Sequence, residues 1–213
     1  MNLPTENSCK WKFDLKSEIK FPFNKFKNDN WDIEHVRSLT DINIEKGDKK
    51  KWIEHVLKYF VGIDNNEELN DEIKNNFYEN EKDEEIKNTC RSLICLKEGK
   101  DIEEEFEDIY KLLQNYFSES KVENINSISN LALLDSGTNR SYGNIFFPIK
   151  RKRIIENDKS AIFVPIATKN LFLKYYSKKP NNLKCWTNDD AEDYLSAIKN
   201  KLSKFLPKEV NNG

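Results

Sequence analysis

The hydrophobic period of this chain changes twice, and those two changes constrain its fold more than any other feature. From Lys46 to about Phe117 the apolar residues recur at helical spacing. Trp52, Ile53, Val56, Leu57 and Phe60 form one face, with Gly62 as a stop. Leu69, Ile73 and Phe77 mark a second, weaker helix, and Ile86, Cys90, Leu93 and Ile94 a third that ends at Glu98-Gly99-Lys100. A fourth carries Ile102, Phe106, Ile109, Tyr110, Leu113 and Phe117 behind an acidic first turn suited to a helix dipole. Outside this block the pattern is extended. Residues 9–36 read as strand and loop, with an aromatic, Pro-punctuated stretch over Phe21–Phe26 that packs near residue 35 or stacks on a nucleobase. After the block, Ser127–Asp135 is a short apolar segment with a polar entry, leading into a turn-rich loop over 136–144.

Beyond that loop, Ile145–Ile155 reads as a helix with Asn144 as its N-cap and Pro148 close to its start. Lys150-Arg151-Lys152-Arg153 puts four cations on about one helical turn. Such a run is a solvated face or, beside a phosphodiester site, a phosphate clamp. A helix is expected over Thr168–Tyr176. A final amphipathic helix starts at Thr187 or Asn188 and carries Ala191, Tyr194, Leu195, Ile198, Leu202 and Phe205 on one face. The expected fold is therefore α+β and mostly helical, a single domain over 1–213.

Composition narrows the function classes. The 35 basic and 37 acidic residues give a formal net charge of -2, so the whole surface does not grip nucleic acid and any contact with DNA needs a local basic patch or a partner. No apolar run is long enough to span a bilayer, and the first residues do not form a signal peptide. The four cysteines include no C-x-x-C pair, which points to free thiols in a reducing, cytoplasmic setting and away from structural zinc. No Gly-rich phosphate loop is present, so no nucleotide site is expected.

The segment Trp31-Asp32-Ile33-Glu34-His35-Val36 places an acid before one of only two histidines. An imidazole accepts a proton from water near neutral pH, and a carboxylate beside it can hold a divalent cation. The plain alternative is a buried or surface histidine with no part in chemistry. Neighbours on a strand face opposite ways, so Glu34 and His35 serve one phosphate only if a twist or bulge follows Glu34, with Asp32 in reserve. His55, inside the first helix, reads as a structural or half-exposed histidine.

Taken together, W-D-I-E-H-V at 31–36, S-I-S-N-L-A-L-L at 127–134 and N-R-S-Y-G-N-I-F-F-P-I-K-R at 139–151 resemble the HNH (ββα-metal) nuclease finger. More closely, they resemble the C-terminal nuclease domain of the GmrSD-type modification-dependent (type IV) restriction enzymes. T-K-N-L-F-L-K-Y-Y-S at 168–177 and W-T-N-D-D at 186–190 are similar to the end of those proteins. The resemblance implies a finger from about 27–40 and 125–157 embedded in a helical domain, a helical insertion at about 46–118 and a C-terminal helical part at about 160–206.

By the same resemblance His35 is the general base, Asn130 orients it or braces the loop, and Glu34 and Asn139 are metal ligands. Asn144, Lys150, Arg151 and Arg153 then lie near the scissile phosphate. An H-N-N set favours one hard cation, Mg²⁺ or Mn²⁺. The implied function is a metal-dependent DNA endonuclease domain of a bacterial phage-defence system. Its expected partners are DNA, possibly modified, and an N-terminal nucleotide-hydrolysing sensor domain or subunit. A catalytically silent DNA-binding or regulatory module is the alternative.

Overall fold

The structure, a computed structural model, describes residues 23–28, 30–37, 44, 46–99, 103–119, 124–138, 145–180 and 182–205. Two short strands, β1 (Trp31–His35) and β2 (Leu131–Asp135), form an antiparallel pair. Trp31 lies opposite Asp135, Glu34 opposite Ala132 and His35 opposite Leu131. Glu34, Ala132 and Leu134 are buried on one side of this ribbon, while Ile33 on the other is 65% exposed. A two-stranded ribbon is not stable alone in water. This one is held from its buried side by α6 (Phe147–Lys159), and α7 (Ile166–Phe172) donates from Thr168 Oγ1 to the Leu133 carbonyl at 2.7 Å.

The helical block is where the periodicity places it: α2 (Lys46–Val61), α3 (Asp71–Asn80), α4 (Glu84–Glu98) and α5 (Glu103–Tyr116). Trp52, Ile53, Val56 and Leu57 are buried against Leu93, Phe106, Tyr110 and Phe117. Gly62, at φ +83°, ends α2 with its N–H on the Lys58 carbonyl, a conformation glycine adopts without strain. Helix α3 buries no residue, in keeping with its weak pattern, and is capped by Asn70. Helix α4 is capped by Asp83 and stops at Gly99.

Phe146, the N-cap of α6, joins the helical block to that helix. Its ring centroid lies 5.7 Å from Trp52, 5.3 Å from Tyr110 and 5.0 Å from Phe117. The insertion and the strands thus share one core. Burying such rings contributes roughly 1.5–3 kcal/mol each, so this cluster fastens the inserted helices to the start of α6, which in turn holds the small sheet.

Several local expectations change. Phe23–Asn28 forms a short helix, α1, instead of an extended stretch; Phe26 meets Trp31 at 6.1 Å, and Trp31 meets Phe163 at 5.9 Å. Helix α6 begins at Phe147 with Phe146 as N-cap, not at Asn144, which lies outside the described residues. Its side-chain cap comes from far away in sequence. The buried carboxylate of Glu119 accepts the Phe147 N–H at 2.5 Å, filling an orphan donor and facing the positive end of the helix. Helix α7 ends at Phe172, before the expected Tyr176, and Lys174 follows at φ 57°.

The last helix, α8 (Asn188–Leu202), starts with a complete capping box between Thr187 and Asp190. Phe205 lies beyond it and is 83% exposed, so it does not belong to the apolar face. Among the described residues no helix is long and apolar enough to cross a membrane. Cys90 and Cys185 are buried free thiols and Cys95 an exposed one; burial, with Glu81 adding to it, pushes the Cys90 thiol up to about 12.

Candidate functional site

His35 is the last residue of β1, and the chain leaves the strand directly after it. Val36 N–H donates to the Asn130 carbonyl at 2.8 Å, which carries the ribbon one step further. The Asn130 side chain then closes on the next residue. Its Oδ1 accepts the Arg37 N–H at 2.9 Å, and its Nδ2 donates to the carbonyls of Arg37 at 3.3 Å and Ile125 at 3.0 Å. A carboxamide suits this place because it donates and accepts without charge, and at 2% exposure every one of those groups needs a partner. Of the two roles implied for Asn130, the geometry is that of a brace on the loop. It does not touch the imidazole.

The imidazole is met by a residue that sequence reasoning passed over. His35 Nε2 lies 3.0 Å from Asn126 Oδ1. When Nε2 carries the proton and donates it to that oxygen, the lone pair of Nδ1 is left to accept a proton. Asn126 sits in an exposed turn with no periodic neighbours, so only its proximity to Asn130 could have drawn attention to it.

On the other side of β1 lies a buried ion pair. Lys150, 1% exposed, sets its ammonium against Glu34 Oε1 and donates to the His35 carbonyl at 2.6 Å. Helix α6 is pinned to the end of β1 through this one side chain. Two further buried charges lie close by: Arg37, whose Nη1 donates to Asn188 Oδ1 at 3.0 Å, and Glu119. Burial raises the Glu119 carboxyl above its ordinary value against the Phe147 N–H, Lys150 and Arg37, which pull the other way. Burial likewise lowers the Arg37 guanidinium, with Glu119 opposing.

The expected site residues are therefore only partly brought together. His35 and Asn130 meet at the end of β1, but Glu34 and His35 leave the strand on opposite faces, with no bulge between them. Asp32 is half-buried on the Glu34 side and has no partner among the described residues. Lys150 does not reach solvent, so it acts as a strut and not as a phosphate contact. Arg151 and Arg153 are half-buried; Arg153 Nη1 lies 3.9 Å from Glu156. Asn139 and Asn144 lie outside the described residues. His55 is half-buried and pairs with Asn65 Oδ1 at 2.8 Å, a structural placement.

The Glu34 carboxylate is neutralised by Lys150, and among the described residues no three of His, Cys, Asp and Glu form a group that could hold a metal ion. The described donors do not fit a cation shared by Glu34 and His35. Comparison with family models, with curated proteins and with solved structures found no match for this chain.

Proposed function

We propose that this chain is an HNH-type DNA endonuclease domain of a restriction system, with His35 as the general base. The observation that carries the reading is the Asn130 clamp on Arg37, which fixes the strand end that bears His35, whose Nε2 is taken by Asn126 and whose Nδ1 meets no protein group among the described residues. The succession of β1, β2 and α6 supports it, because a strand pair followed by a helix is the frame the resemblance implies. His35 Nδ1 takes the proton from an attacking water. The water oxygen bonds to phosphorus, the bond from phosphorus to O3′ breaks, and the departing oxygen is protonated by solvent. General-base action of this kind is worth roughly 10²–10⁴-fold. Asn126 keeps the imidazole turned, and Asn130 keeps its backbone in place. Glu34 and His35 do not converge on one cation, and chelation decides whether hydrolysis requires Mg²⁺ or Mn²⁺. DNA, a nucleotide-hydrolysing sensor domain or subunit and a cytoplasmic setting are part of the same proposal.

A catalytically silent DNA-binding module is the second reading, and the Lys150–Glu34 pair favours it, because it occupies a carboxylate that an active finger would leave open. The two are separated by incubating supercoiled plasmid, and in parallel bis(4-nitrophenyl) phosphate, with the wild-type chain and with His35→Ala. Each is run in Mg²⁺, in Mn²⁺ and in excess EDTA. Hydrolysis lost in His35→Ala supports the nuclease. No hydrolysis of either substrate by the wild type, or equal hydrolysis by both proteins, counts against it.

A further inference from the structure

The side of α6 turned away from the strands carries a separate feature. At about 100° per residue, Lys150, Ile154 and Asn157 share one side of the helix, and all three are buried. Arg151, Lys152 and Lys159 fall on another side, which forms a wall of an open cleft of about 290 Å³. Lys184, from the segment before α8, and Tyr59 of α2 complete it. The cleft contains four cations against two carboxylates, Asp64 and Glu156.

These charges are not equivalent. Glu156 accepts from Asn65 Nδ2 at 2.7 Å and lies 3.8 Å from Lys152. Lys152 turns its ammonium to the carbonyls of Lys58, at 3.3 Å, and Ile63, so both belong to the packing of α6 on the end of α2. Lys159 is exposed, and Lys184 lies over the Tyr116 ring at 4.8 Å from its centroid. Arg151 is the odd member. Its guanidinium makes no hydrogen bond or ion pair among the described residues, the buried Nε included, while the buried Glu156 Oε1 beside it likewise accepts no hydrogen bond. A half-buried guanidinium without protein partners, set among two lysines in an open cleft, has the chemistry of an anion site.

We propose that this cleft binds a phosphate group, with Arg151 as its principal contact and Lys159 and Lys184 beside it. The phosphate is carried by a nucleic-acid backbone or is free, two sources with one chemistry. The cleft lies on the far side of α6 from Lys150 and the strand pair, so a duplex held there would be gripped apart from His35. Only the choice of DNA as a probe rests on the nuclease reading.

The test is binding without cleavage, on the full chain in EDTA. A labelled duplex is followed by fluorescence anisotropy over a salt series, and inorganic phosphate by calorimetry. Wild type is compared with Arg151→Gln, with Lys159→Gln (an exposed position that does not threaten the fold) and with Lys201→Gln as a control. Weaker duplex binding in Arg151→Gln and Lys159→Gln, with a salt slope lowered by about 1 for each, assigns the phosphate to the backbone. Loss of inorganic phosphate binding alone in those variants assigns it to a free anion. Affinities for both probes equal to wild type in both variants overturn the proposal. Lys201→Gln, far from both sites, keeps its affinity in either case, and because binding is read in EDTA without cleavage, a failure of the cleft and a failure of the proposed base are read separately.

Discussion

The Asn130 carboxamide holds both backbone groups of Arg37, accepting its N–H at 2.9 Å and donating to its carbonyl at 3.3 Å. The contact ties together two segments that the helical insertion separates in sequence. Through it, the position of His35 depends on β2 as much as on β1.

Asn130→Ala therefore leaves the buried N–H and carbonyl of Arg37 and the Ile125 carbonyl without this partner. Each costs about 1–3 kcal/mol, so the loss read from urea unfolding should be at least about 2 kcal/mol. Asn130→Asp keeps the acceptor but not the donor and should recover only part of the loss. Wild-type stability in both variants would show that the loop is held by other means.

The Lys150–Glu34 pair makes a different prediction. Lys150→Met leaves Glu34 charged and buried without its partner and should cost about 3–5 kcal/mol. Glu34→Gln in the same chain should restore most of it, giving a large coupling in a double-mutant cycle. Additive effects would mean that Glu34 and Lys150 do not depend on one another.

Asn126 is exposed, so its removal should leave stability unchanged. If it orients the imidazole, Asn126→Ala lowers kcat for phosphodiester hydrolysis by about 10–100-fold at constant KM, the range typical of groups that orient a reactive histidine. Unchanged kcat would place it outside the machinery.

Asp190 predicts an acid dependence. Burial raises its carboxyl, but hydrogen bonds from Lys174, Ser177 and Thr187 outweigh this and hold it below the ordinary value. A depressed carboxyl contributes stability that is complete above the unfolded value of about 3.9 and is lost as pH falls through the lower folded value. Asp190→Asn should thus be less stable near neutrality, since Lys174 remains buried without its counter-charge, and should lose less on acidification. Parallel stability curves for the two proteins would contradict the assignment.

The helical block was legible because its period is sustained over several turns, and the capping box at Thr187 because Thr-x-x-Asp declares itself locally. Two placements could not be read. The cap of α6 comes from Glu119, a residue with no local relation to that helix. In Lys150–Arg153 each residue carries the same charge, and only packing shows that Lys150 shares its side with Ile154 and turns inward. That the segments bearing His35 and Asn130 meet was legible, since both motifs were read as parts of one frame. Asn126 was not, since a turn residue has no pattern to give it away.

The most direct measurement of the central claim is the rate of plasmid cleavage by wild type and His35→Ala, with and without added imidazole. The account predicts a fall of about 10²–10⁴-fold in the variant and partial recovery when free imidazole supplies the missing base. Equal rates in the two proteins would contradict it.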